Sequence, residues 1–150
     1  MTATHLHAMI IHFPIALLMI GFLSEIISLF TKKDFFKTAA FYLLILGVLG
    51  AITAYITGGY AGEGIEEGPL LDPMNLHKQA ALFTIWISII IVLFKSTIFY
   101  FKSHKSWAKG IGFLLYMFLV IAVARTGYLG GQLVFSHGAG VEIALPDFNN

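Results

Sequence analysis

The chain has no cysteine. That excludes disulfides, thiolate-bound metals, c-type haem attached through Cys, and a Cys nucleophile. Charge is scarce too. Asp, Glu, Lys and Arg make up 11% of the 150 residues, where a soluble domain of this size carries about 25%. The net charge is +1. The Lys and Arg residues fall mainly in two separate connectors, so no basic groove forms and nucleic acid is not an expected partner. The sequence has no GxSxG, HExxH, P-loop or dinucleotide-binding glycine signature. GYLGG, from Gly127 to Gly131, follows a helical pattern rather than a strand. With no nucleophile–base pair visible, an electron-transfer protein or subunit is expected rather than a stand-alone enzyme.

What the chain does have is apolar surface. Apolar residues make up 58% of it, and the mean hydropathy is +0.85. Too little polar surface remains to cover a globule, so much of the exterior must face lipid. A helix needs about 20 apolar residues to cross the hydrocarbon core. Four segments qualify: residues 8–30, 36–57, 80–101 and 111–130. The sequence before the first segment has no Lys or Arg, and the apolar run is longer than a signal-peptide core, so it reads as a retained span. The expected fold is an all-α integral membrane four-helix bundle forming one domain. No internal repeat is visible. Asn75 is a candidate cap for the third helix, and the glycines after Gly130 predict a tail that folds back over one mouth of the bundle.

Lysines orient the bundle. Lys32, Lys33 and Lys37 occupy the first connector, Lys102, Lys105 and Lys109 the third, and Lys95 lies just inside the third span. The other end has only Lys78 and Arg125, with most of the acids: Glu63, Glu66, Glu67, Asp72, Glu142 and Asp147. The positive-inside rule places the lysine-rich end in the cytoplasm. Both termini are then expected outside, which is the periplasmic side if the membrane is the inner membrane of a Gram-negative cell. Glu25, within the first span, is a candidate proton relay, but pairing with Lys95 is the favoured expectation, because intramembrane charges normally find a partner.

Histidines gather at the opposite end from the lysines. His5, His7, His12, His77 and His137 all fall there, and only His104 lies in a lysine-rich connector. A single interfacial histidine is usually just a hydrogen-bonded polar residue. Five on one face are harder to read that way, and intramembrane ionisable groups are functional candidates. Imidazole ligates haem iron and also suits Cu and Zn. His7 and His12 are five residues apart, about 140° on a regular helix, and Pro14 just beyond them interrupts that regularity. Gly58, Gly59, Gly127, Gly130 and Gly131 would let a flat ring approach backbone. Arg125 is a candidate propionate partner, an anion site, or a partner for an acid of the middle connector.

Two end motifs add a resemblance. LHAMIIHFPIALL (Leu6–Leu18) and GYLGGQLVFSHGAGV (Gly127–Val141) resemble the opening and closing motifs of the bacterial DUF2231 membrane family, and the helix opening at His77 also fits. Ala8 departs from the family's usual Pro, which loosens the turn after His7. The resemblance covers nearly the whole chain and implies a four-helix membrane domain. Some members are fused to cytochrome c modules, which favours electron transfer and haem. The family's histidines fall on His7, His12, His77 and His137.

The expectation is therefore a b-type haem protein taking part in electron transfer at the periplasmic face. One or two haems would be held by His12 with His77 and by His7 with His137, with Arg125, Gly127, Gly130 and Gly131 lining the site. The expected partners are the lipid bilayer, a cytochrome c or other redox protein, and further copies or subunits of a membrane complex. Two alternatives share the ligands or dispense with them: a non-haem Cu or Zn site on the same four histidines, and a cofactor-free accessory subunit.

Overall fold

The computed structural model describes residues 2–31, 33–101 and 105–141. Lys32, Lys102, His104, Glu142 and Asp147 lie outside them. Among the described residues the regular structure is helical: α1 (Ala3–Ile10), α2 (His12–Phe30), α3 (Asp34–Ala61), α4 (Leu71–Tyr100) and α5 (Ser106–Phe135). α1 and α2 together make the first of four spans, and each span contains a window of mean hydropathy 1.9 to 2.2. α4 and α5 are 30 residues each, about 45 Å at 1.5 Å per residue, so they reach beyond a hydrocarbon core of about 30 Å at both ends.

The first span is interrupted near Pro14, as the sequence reading expects: α1 stops at Ile10 and α2 starts at His12. Pro14 explains the break: it has no N–H to donate to the Ile10 carbonyl, so the helix cannot run through unchanged. One position departs from that reading: α4 starts at Leu71, not beyond Asn75, and Leu70 is its cap residue. The helix continues past its apolar stretch into DPMNLHK, where Asp72 sits favourably in the first turn. Asn75 is therefore inside the helix, and the middle connector shortens to Gly62–Leu70.

The helices form a ring in which α2 packs on α3, α3 on α4, α4 on α5 and α5 on α2, with α1 lying mainly against α3. The core at its centre holds Leu18, Leu44, Val48, Ile91, Tyr116, Leu119 and Val123. Small residues allow the close approaches. Gly47 faces Leu18 on α2, and Gly50 faces Pro14. Gly21 lies under the Tyr116 hydroxyl. Outside this core Phe13, Phe30, Leu93, Trp86, Leu114 and many other large apolar side chains are exposed. A surface of that kind belongs in a bilayer, and four apolar helices of this length make the protein a multi-pass membrane protein.

The diagonal pair α2 and α4 makes no close backbone contact. Glu25 and Lys95 bridge it, with Lys95 Nζ donating to Glu25 Oε1 at 2.6 Å and both side chains mostly buried. Lys95 also lies 5.3 Å from the centre of the Tyr116 ring. At the far end α5 stops after Phe135. Gly138 turns the chain with φ +66° and Gly140 with φ +74°, a region that glycine enters without strain. That turn brings Gly140 against the Thr4 side chain of α1.

Candidate functional site

The histidine end of the bundle is built from two similar halves. In the first, the His7 Nδ1 lies 3.2 Å from Thr57 Oγ1. The Thr57 hydroxyl already donates to the Ala54 and Thr53 carbonyls of its own helix, at 3.0 and 3.1 Å. With its one hydrogen on its own helix, the Thr57 oxygen accepts from His7, and Nδ1 is then the protonated nitrogen. In the second half, the His77 Nδ1 lies 3.1 Å from the Thr126 carbonyl oxygen, which can only accept. Here too the proton is on Nδ1. Both rings therefore turn an unprotonated Nε2 away from these bonds. This is how a histidine is held when Nε2 is to ligate a metal: the other nitrogen donates to a carbonyl or similar acceptor and fixes tautomer and orientation.

Each ring also rests on a glycine. A Cβ at Gly58 would lie 2.9 Å from His7 Cε1, and one at Gly130 would lie 3.1 Å from His77 Cε1. Both imidazoles are half-buried.

The halves are related by position in the chain. His7 and His77 are separated by 70 residues, the interval that also separates Glu25 from Lys95. The partners follow the same rule: Thr57 comes 50 residues after His7 and Thr126 comes 49 after His77. Buried positions match at the same offsets: Pro14 with Thr84, Leu18 with Ser88, Gly21 with Ile91, Gly47 with Tyr116 and Ala54 with Val123. The bundle is thus two helical hairpins repeated in parallel, like the repeats related by an axis along the membrane normal in some transporters. The ring of helix contacts has the same two-fold character. A repeat that was invisible in the sequence is plain in the structure.

The repeat separates the sequence-predicted residues. His7 and His77 hold corresponding positions at the same end of the bundle, each tied to the helix that follows it. His12 is exposed, its Nδ1 donating to the Ala8 carbonyl at 2.7 Å across the α1–α2 break, and its repeat position is Leu82. His137 is exposed beyond the end of α5. His5 is exposed and bonds locally to Thr2. Gly130 meets His77, whereas Gly127 and Gly131 have nothing near their Cα hydrogens. Arg125 is exposed and lines a groove between α4 and α5 with Phe83 and Phe118; the described contacts join it to that groove and not to His77. Among the described residues no three His, Asp or Glu side chains form a group able to hold a metal ion. Sequence reasoning passed over Thr57 and Thr126. Each stands directly before a glycine, Thr57-Gly58 and Thr126-Gly127, near the end of an apolar run. That shared dipeptide was the available signal.

The donor set decides which groups fit. Structural Zn takes four protein ligands and catalytic Zn three, and two imidazoles fall short of either. A b-type haem brings four equatorial nitrogens of its own and asks the protein for an axial pair. Two Nε2 donors on different helices match that number of ligands.

Comparison with known proteins agrees with the architecture. Neither a curated protein nor a solved structure matches the chain. The sequence model of a family described as predicted membrane protein, DUF2231, matches residues 3–143. That covers nearly the whole chain, and the protein belongs to the DUF2231 family of predicted membrane proteins.

Proposed function

We propose that the protein is a b-type haem protein that takes part in electron transfer at the histidine end of the bundle, with His7 and His77 as the axial pair. The observation that carries this reading is the duplicated half-site. Each half supplies one imidazole whose Nδ1 is tied to a following helix at Thr57 or Thr126, and whose Nε2 is left as a donor. His12 and His137 have no counterpart in the repeat, so the sequence-based pairing of His12 with His77 gives way to His7 with His77. When bound, the haem would supply the one-electron redox centre. The chain's part is to orient two imidazoles and to surround them with apolar helices.

The site is assigned to the periplasmic side of a bacterial inner membrane. Lys33, Lys37, Lys105 and Lys109 flank the opposite end, and positive residues stay in the cytoplasm. A cytochrome c or similar redox protein is then the natural partner, since it works at that face. A bare Cu or Zn site is the less favoured reading because the described residues offer no group of three ligands.

The test is the purified protein's visible spectrum, oxidised and dithionite-reduced, with elemental analysis of the same sample. Iron with a Soret band that shifts on reduction supports the proposal. Copper or zinc without porphyrin contradicts it, as does protein free of both.

A further inference from the structure

A second site lies on the outward face of α4 and α5, independent of the histidines. Two grooves there share Ala80, Phe83 and Arg125 and run into one slot along the helices. The part nearer the helix ends holds about 300 Å³ and includes Gln79 beside Arg125. The deeper part holds about 140 Å³ and is walled by Phe83, Phe118 and Ile121. The slot is therefore wide and polar above, narrow and apolar below. Arg125 stands where the two parts meet. It is exposed and has no ion-pair partner among the described residues.

An arginine at a lipid-facing position is costly, so its presence calls for a cause. The repeat shows that the fold is not that cause. The positions equivalent to Arg125 and Gln79 in the first hairpin are Ile56 and Met9, and those equivalent to Phe83, Phe118 and Ile121 are Phe13, Leu49 and Ile52. These corresponding positions of the first hairpin are thus apolar throughout. Arg125 and Gln79 are the polar departures in the second copy.

We infer that this slot binds an anionic phospholipid of the histidine-side leaflet, its phosphate on the Arg125 guanidinium and the Gln79 amide, and one acyl chain running down between Phe83 and Phe118. The polarity of the slot runs in the same direction as that of a lipid in the leaflet. Guanidinium matches phosphate through paired N–H donors, and the arginine stem can lie along the apolar wall while its head reaches the headgroup layer.

The experiment uses the full chain in phosphatidylcholine vesicles carrying trace spin-labelled lipid. Wild-type protein is expected to immobilise spin-labelled phosphatidylglycerol several-fold more than spin-labelled phosphatidylcholine. Arg125→Gln should abolish that preference and Arg125→Lys should retain part of it. Equal immobilisation of the two lipids by the wild type overturns the proposal, and that comparison needs no variant to fold. An unchanged preference in Arg125→Gln also overturns it. So does displacement of the labelled lipid by a neutral isoprenoid quinone but not by unlabelled phosphatidylglycerol, which would make the slot a quinone site.

Discussion

His7 and His77 are each oriented through Nδ1, but by different kinds of acceptor. His7 depends on the Thr57 side chain, whereas His77 depends on the Thr126 backbone. Removing a partner of this kind typically costs 10–100-fold in ligand affinity. Thr57→Val should therefore weaken haem retention by about that factor, measured as haem loss during dialysis. Thr126→Val keeps the carbonyl and should lose much less; equal losses would contradict the assignment. The glycines give a graded series. A methyl at Gly58 meets its ring more closely than one at Gly130, and one at Gly131 meets nothing. Haem content should fall most in Gly58→Ala, less in Gly130→Ala and not at all in Gly131→Ala. At this scale the sequence was half legible. Histidines announce themselves by chemistry, so all five at this end were found. Five residues put His12 about 140° round the helix from His7, and His12 is exposed while His7 stays against α3. Which of the two turns inward is set by the packing of α1 on α3, and spacing alone does not give that.

Among the elements, the Glu25–Lys95 bond is the main polar tie across the bundle's diagonal. It was legible beforehand, because two isolated opposite charges at the same depth have few other partners. Its cost is a separate matter. A buried pair is weak support for stability when intact, but removing one partner strands a buried charge at about 3–5 kcal/mol. Glu25→Gln should lower unfolding stability in detergent by that order, and Glu25→Leu combined with Lys95→Met should recover most of it. A single variant as stable as wild type would show that Lys95 reaches water by another route. The helix ends were the least legible elements. Hydropathy marks where a helix leaves lipid, not where it stops, so α4 began nine residues before its expected apolar start at Ala80.

The molecule as a whole is a duplicated hairpin, and the duplication is what the sequence concealed. The two copies share several buried positions while changing chemistry, Pro14 against Thr84 and Gly47 against Tyr116, and they set the opposite charges Glu25 and Lys95 at corresponding places. Residue identity survives at the two histidines and their threonines, and also at scattered apolar positions such as Phe13 and Phe83, Ile20 and Ile90, and Ile52 and Ile121. The absence of native cysteine makes the orientation of this bundle easy to test. Single cysteines at Lys33 and Ser136, both exposed, can be labelled with a membrane-impermeant maleimide in intact cells. Ser136→Cys should label directly once the reagent has entered the periplasm, and Lys33→Cys only after the inner membrane is opened. The reverse pattern would move the histidine end to the cytoplasm.

The measurement that bears most directly on the central claim is the Soret absorbance per protein in four single variants: His7→Ala, His77→Ala, His12→Ala and His137→Ala. The duplicated half-site predicts that the first two lose the band or change its coordination spectrum, while the last two keep wild-type intensity. Loss in His12→Ala with retention in His7→Ala would contradict it, and so would a wild-type protein with no band to lose.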